Sequence, residues 1–151
     1  MSSKARVLGM GMMLTLAAVL LTSAMGAAQG GALQVTVTYQ GSGGVGPNNA
    51  IWLSVWDTAD IPPDGSVLPI GNARVVENGG TVTVTGLAAS TVYLTALYDE
   101  QGGWTGRTAV PSGTPAGVYS PNAYGAPGPI AVVAGETVEV EFGFTDAFRM
   151  P

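Results

Sequence analysis

Hydrophobic and polar residues alternate along most of the chain after residue 30, and Gly and Pro separate the alternating runs. The clearest run is LQVTVTY at residues 33–39, where apolar side chains and the tyrosine alternate with Gln and Thr. Such alternation of Val, Thr, Tyr and Trp is typical of short strands that bury one face. No window of about 12 residues combines a helical stripe with a plausible cap, so the pattern predicts an all-β domain.

Seven runs are predicted to be strands: residues 33–39, 50–57, 73–77, 81–85, 91–98, 130–133 and 137–144. Asn78-Gly79-Gly80 is a hairpin signal between the third and fourth runs, and a tight turn at Ala134-Gly135 joins the last two. Short strands separated by turn residues favour a seven-stranded antiparallel sandwich of two sheets with Greek-key connections.

Residues 99–129 form a long connection that is dense in Gly and Pro. Structureless loops beyond about 15 residues are usually functional or disordered. Its aromatic residues, Trp104, Tyr119 and Tyr124, argue against disorder, because burial of each stabilises the fold by about 1 kcal/mol or more. We therefore expect the loop to wrap over one sheet or one end of the sandwich.

The first 28 residues have a different character from the rest. Lys4 and Arg6 precede an apolar run at residues 7–21 and a tail of small residues. This order predicts a signal helix of a secretory signal peptide, cleaved within residues 24–30, which leaves 29–151 as one domain. The mature protein would then be secreted, periplasmic or at the cell surface, with no membrane insertion. An uncleaved anchor is the alternative, because the apolar segment extends to about the 20 residues that a bilayer needs.

The composition after residue 28 narrows the chemistry. Ten acidic residues stand against three arginines, a formal charge of −7, with no Lys, His or Cys. A histidine base, a cysteine nucleophile, a His/Cys metal site, disulfides and a basic nucleic-acid surface are therefore excluded for this region. No cofactor is predicted. We do not expect an enzyme, because nothing marks a pair of carboxylates in a cleft.

Residues 82–103, VTVTGLAASTVYLTALYDEQGG, contain a strand, a Gly-Leu corner, a small-residue turn and a strand that ends in Tyr-Asp. This stretch resembles the signature of transthyretin-like, carboxypeptidase-regulatory-like domains, and residues 114–151 are similar to the latter half of small exported bacterial proteins of that class. The resemblance implies a prealbumin-like or immunoglobulin-like Greek key with an accessory, binding or structural role. In many relatives the loop after Tyr-Asp is compatible with calcium ligation. Here its later positions hold no carboxylate, so no metal site is predicted.

Aromatic residues form the candidate ligand-binding set: Trp52, Trp56, Trp104, Tyr119 and Tyr124. The first two lie four apart on a predicted strand, so they point to the same face, opposite Ile51, Leu53 and Val55. If the aliphatic residues face the core, the tryptophans form an outward platform for sugar rings or for apolar residues of a partner. Alternatively, the 99–129 loop covers them as a second, smaller core.

Six acidic residues are candidates for a calcium site: Asp57, Asp60, Asp64, Asp99, Glu100 and Asp146. Asp57 and Asp99 both follow strands, which would allow them to converge at a sheet end. The simpler interpretation is solvated acids at strand ends and turns. In the terminal string TDAFRMP, we predict an ion pair between Asp146 and Arg149, with Phe148 and Met150 pinning the tail to the body.

Together these features favour an exported, non-enzymatic binding or interaction module at the cell envelope, with a glycan or an envelope protein as partner. The alternative is a structural subunit of an extracellular fibre or surface matrix, because uncharged Thr/Val strands suit self-assembly by strand addition. A binding module should stay monomeric and lose its ligand when Trp52 or Trp56 becomes Ala. A fibre subunit should assemble through a terminal strand such as residues 33–39.

Overall fold

The computed structural model describes residues 30–151, except 63–64, 89, 107 and 122–125. The predicted signal segment, residues 1–28, lies outside the described residues. Within the described part no helix is long and apolar enough to cross a membrane. Eight strands occur there: β1 (Gly31–Tyr39), β2 (Ile51–Trp56), β3 (Gly71–Val75), β4 (Thr81–Leu87), β5 (Ser90–Tyr98), β6 (Ala116–Val118), β7 (Ile130–Val132) and β8 (Thr137–Phe144).

The strands form two sheets, which confirms the prediction of an all-β, two-sheet sandwich. The smaller sheet has the order β4-β1-β8, and the larger has the order β3-β2-β5-β6 with β7 paired to the start of β5. Each of the seven predicted strands overlaps an observed one. The eighth, β6, has three residues and lies inside the predicted 99–129 loop.

The core lies between the sheets and follows the alternation of the sequence. Every second residue of β1 and β5 is buried, including Tyr39 and Tyr98 at the ends of these two strands. At the end of β4, Gly86 adopts a φ of +74°, and Leu87, the last residue of the strand, is 2% exposed. Burial of a side chain of this kind contributes about 1.5–3 kcal/mol, so the apolar core holds a domain without disulfides together.

One strand pair corrects the prediction of a wholly antiparallel sandwich. β1 and β8 run parallel, in register from Ala32 opposite Thr137 to Tyr39 opposite Phe144. The cause is the turn at Ala134-Gly135, where Glu136 N–H donates to the carbonyl of Val133 at 3.2 Å. This turn carries the chain from β7 in the larger sheet to the smaller sheet, where it enters alongside β1 in the same direction.

The predicted hairpin at Asn78-Gly79-Gly80 is also wrong, because β3 and β4 belong to different sheets. The turn itself exists, with Gly79 at a φ of +77°. It docks on the end of β1, where the amide of Asn78 accepts from Tyr39 N–H at 2.7 Å and donates to Tyr39 C=O at 2.9 Å. This side chain thus continues the ladder of β1 where β4 has not yet begun.

The described parts of the 99–129 connection include a strand that lies along one edge of the larger sheet. β6 pairs with β5, and Tyr119 N–H donates to the carbonyl of Leu94 at 2.9 Å. The C-terminal tail, residues 145–151, then pairs with residues 113–116 through backbone hydrogen bonds. Phe148 is 59% exposed, so the prediction that its side chain pins the tail is wrong. The backbone of the tail makes that contact instead.

Candidate functional site

Trp52 stands on the outer face of the larger sheet, as its position in β2 predicts. Its neighbours Ile51 and Leu53 point the other way and are completely buried. The register of β2 against β3 places Arg74 directly opposite Trp52. The guanidinium carbon of Arg74 lies 5.7 Å from the centre of the Trp52 ring, a distance at which a cation and an aromatic face attract each other.

Trp104 comes to the same place from the loop that follows β5. Its ring packs edge-on against Trp52, with centroids 5.4 Å apart and planes at 78°. The carboxylate of Asp99, a residue that is 8% exposed, accepts the backbone N–H of Trp104 at 2.8 Å. The indole Nε1 of Trp104 donates to the carbonyl of Thr108 at 3.1 Å. Both the backbone and the side chain of Trp104 are therefore fixed.

The two tryptophans and Arg74 line an open depression of about 880 Å³, which we name the tryptophan groove. Its lining residues are Pro47, Asn48, Trp52, Arg74, Asp99, Gln101, Gly102, Gly103, Trp104 and Thr105. Such a lining combines two indole rings with a guanidinium and side-chain amides that can donate hydrogen bonds. This combination suits a ligand that has both apolar faces and hydroxyl groups.

The indole of Trp52 is held in the groove by packing. Its Nε1 is buried and has no hydrogen-bond partner within the described part of the chain. A buried donor without a partner costs about 1–3 kcal/mol, and this cost must be offset by the packing of the indole ring against its neighbours. Trp104 supplies one contact, and Gly106 another, since a methyl group added at Gly106 would lie 3.2 Å from the Trp52 ring.

The other aromatic residues of the candidate set lie elsewhere. Trp56 shares the outer face of β2 but lies about 13 Å further along the strand, where its Nε1 donates to Thr95 Oγ1 at 2.9 Å. Tyr119 packs edge-on against the core residue Phe142 at 6.3 Å. Tyr124 is outside the described residues. The structure thus brings Trp52 and Trp104 together, and it adds Arg74, which the sequence did not single out.

The acidic residues do not converge as the calcium hypothesis requires. β2 and β5 run antiparallel, with Ile51 opposite Tyr98, so Asp57 and Asp99 lie at opposite ends of the larger sheet. Asp64 is outside the described residues. Within the described ranges, no group of three His, Cys, Asp or Glu residues is arranged to hold a metal ion.

Arg149 fastens the C-terminal tail to the loop after β5. Its Nη1 lies 2.9 Å from Glu100 Oε2 and donates to the carbonyl of Gly113 at 2.7 Å. The predicted pair with Asp146 is present, with a longer separation of 3.6 Å. Hydrogen bonds from Ser42 to Asp146, one of them 2.8 Å long, lower the pKa of that carboxyl group. Each charge in this tail cluster has a partner, so the cluster fastens the tail to the loop after β5.

Two tyrosines hold the glycine loop, residues 41–49, whose far end forms one wall of the groove. Tyr39 and Tyr98 stack with ring centroids 4.3 Å apart. Their hydroxyls donate to the carbonyls of Ser42 at 3.3 Å and Gly44 at 3.0 Å. Burial raises the pKa of both phenols above the ordinary value of 10.0. The core therefore positions one side of the groove through these hydroxyls.

Comparison with known proteins returned no match to a family model, a curated protein or a solved structure.

Proposed function

We propose that the protein is an exported, non-enzymatic binding module of the cell envelope that holds a glycan in the tryptophan groove. The observation that carries this proposal is the Trp52 and Trp104 pair beside Arg74 in an open depression. Indole rings stack on the apolar faces of sugar rings, while guanidinium and amide groups donate hydrogen bonds to hydroxyls.

The acid content of the groove supports binding without catalysis. Asp99 is the only carboxylate among the described groove residues, and it already accepts the backbone N–H of Trp104. Glycoside hydrolysis commonly needs two carboxyl groups on either side of the bond, about 5–10 Å apart. A groove with one committed carboxylate lacks that arrangement within its described lining.

The shape and charge of the groove favour a single neutral sugar unit. Because the indole planes meet at 78°, they form a corner rather than a flat platform. Arg74 is the only cation among the described lining residues, and its guanidinium already donates to the carbonyl of Pro47. A protein with a formal charge of −7 after residue 28 also repels acidic polysaccharides.

The test is titration of the purified protein with neutral and acidic oligosaccharides, followed by tryptophan fluorescence and calorimetry. We expect a neutral sugar to bind, and Trp104→Ala to weaken it about tenfold, the effect of losing about 1.4 kcal/mol of aromatic contact. Trp56→Ala is the matched control, because it removes a tryptophan from the same face of β2 outside the groove. Equal losses in the two variants, or no sugar binding, would contradict the proposal.

The wider identity of the chain is part of the same proposal. We propose a Greek-key sandwich of the transthyretin-like, carboxypeptidase-regulatory-like kind. The two-sheet architecture, the Gly86-Leu87 corner and a strand that ends at Tyr98 before Asp99 support it. Export is supported by Lys4, Arg6 and the apolar run that follows them. N-terminal sequencing of the protein from the envelope fraction checks export, and a start at residue 1 would contradict cleavage.

A further inference from the structure

β4 forms one outer edge of the smaller sheet. In the described part of the chain it pairs only with β1. Val37 N–H donates to the carbonyl of Gly80, which shows that odd-numbered residues of β1 direct their backbone groups toward β4. In the register that follows, Val82 and Val84 bond to β1, while Thr81 and Thr83 direct their N–H and C=O groups to the free edge.

The sequence of β4 leaves this edge unprotected. Proteins commonly guard exposed edges with charge, Pro, short strands or a covering segment. β8, the opposite edge of the sheet, carries exposed Glu139 and Glu141, and β3 carries Arg74. The tail covers part of β6. β4, with the sequence TVTVTGL, has seven residues and neither a charge nor a proline. It is the longest uncharged edge in the described structure.

We propose that β4 pairs antiparallel with β4 of a second copy of this chain, so that two smaller sheets join into one sheet of six strands. The occupant is a second copy because the strand is complementary to itself. A two-fold axis at Thr83 places Thr83 opposite Thr83 and Thr81 opposite Thr85, all exposed. Cross-strand Thr pairs are favourable, and one already links Thr36 and Thr81 at 2.8 Å.

Charge favours this edge over the rest of the surface. A chain with a formal charge of −7 after residue 28 repels its own copies wherever acidic surfaces meet. Two β8 edges would bring glutamates together, whereas two β4 edges bring none. A two-fold contact also closes on itself. It gives a dimer rather than the fibre of the alternative hypothesis. That fibre would assemble through residues 33–39, which are already paired on both sides within β1.

The test is sedimentation velocity of the purified protein in a concentration series up to about 1 mM, where a dimer of millimolar Kd is half formed. Thr83→Pro removes an outward N–H but leaves the bonds to β1, and Pro is tolerated at such edge positions. Thr83→Lys keeps the backbone and places like charges across the axis. Thr38→Lys is the matched control, because it adds the same charge to the central strand of the same sheet. Circular dichroism checks that each variant is folded.

We expect a dimer for the unaltered protein and for Thr38→Lys, and a monomer for both Thr83 variants. A monomer at every concentration for the unaltered protein would overturn the proposal. So would folded Thr83 variants that still dimerise. Open-ended assemblies that form at lower protein concentration with Thr83→Lys would also overturn the proposal, because they would indicate pairing of β4 with the acidic β8 edge. Sugar binding is measured separately, so failure here leaves the groove proposal standing.

Discussion

Tyr39 and Tyr98 each bury an aromatic ring in the core and send a hydroxyl to the glycine loop. Burial is the main reason why their pKa values are raised, since the charged phenolate is poorly solvated there. A pKa raised above its unfolded value gives stability that is fully present below pH 10.0, the ordinary value. This contribution is lost as the pH rises through the raised value. The fold should therefore weaken in alkali.

Replacing Tyr98 by Phe removes both the hydrogen bond of the hydroxyl and the ionisation of the phenol, and the two losses show at different pH. At neutral pH the variant loses the hydrogen bond to Gly44, at a cost of about 0.5–1.5 kcal/mol. Between about pH 9 and pH 11, its stability should fall less steeply than that of the unaltered protein, because one buried phenol no longer ionises. Urea unfolding across this range measures both effects. Tyr93→Phe, on the outer face of β5, is the control, and identical slopes for Tyr98→Phe and the unaltered protein would argue against this account.

At the scale of strands and turns, local pattern predicts where an element lies but not which sheet receives it. The alternation in β1, β2, β5 and β8 is enough to locate these strands. β6 has only the three residues Ala-Gly-Val, too few to show an alternation. The glycines at 79 and 135 both make the predicted turns. Each of these turns reverses the chain. Whether the chain then joins the same sheet or the other sheet is decided by the packing of distant strands.

The C-terminal tail is an element held by charge and backbone pairing. Arg149→Ala removes the contacts to Glu100 and Gly113. Exposed ion pairs contribute little to global stability, so the expected result is local opening. Amide exchange at Ala116 and Met150 should accelerate, while exchange in β1 stays unchanged. Unchanged exchange at Ala116 and Met150 would show that the backbone pairing holds the tail without Arg149.

The attachment of the C-terminal tail should weaken as the pH falls. The pKa of Asp146 is lowered below its ordinary value of 3.8 by its hydrogen bonds to Ser42. A lowered pKa gives a contribution that is present above pH 3.8 and is lost as the pH falls through the lower value. Acid should therefore accelerate exchange in the tail of the unaltered protein more than in an Asp146→Asn variant.

For the whole molecule, the candidate site was predictable only in part. The outward direction of Trp52 follows from a strand whose other face is aliphatic. Its contact with Trp104 depends on a loop that Asp99 shapes, and its contact with Arg74 depends on the register of β3. Neither is a local property of the sequence. The fold class followed from alternation alone, whereas the parallel pairing of β1 with β8 required the three-dimensional structure.

The first and last strands of the domain lie side by side. Ala32 pairs with Thr137, so about 100 residues must close into a loop before this pair can form. β8 also supplies Val140, Phe142 and Phe144 to the core. Loss of each phenylalanine side chain costs about 3–5 kcal/mol, against a typical total stability of 5–15 kcal/mol.

A chain that ends at residue 136 should therefore not fold, whereas one that ends at residue 144 should. Near-ultraviolet circular dichroism and urea titration measure the difference. Cooperative unfolding of the shorter chain would contradict this expectation and would show that β4 and the larger sheet suffice to hold β1.

If the chain is exported as we propose, the neighbouring positions of β1 and β8 also bear on its passage through a membrane. Most export channels pass only unfolded chains, so a protein that folds during its synthesis blocks its own passage. Here the central strand of the smaller sheet gains its parallel neighbour only when the last strand has been made. We expect this long-range pairing to delay complete folding, so that the chain, if it is exported as we propose, stays competent for translocation until β8 has been made.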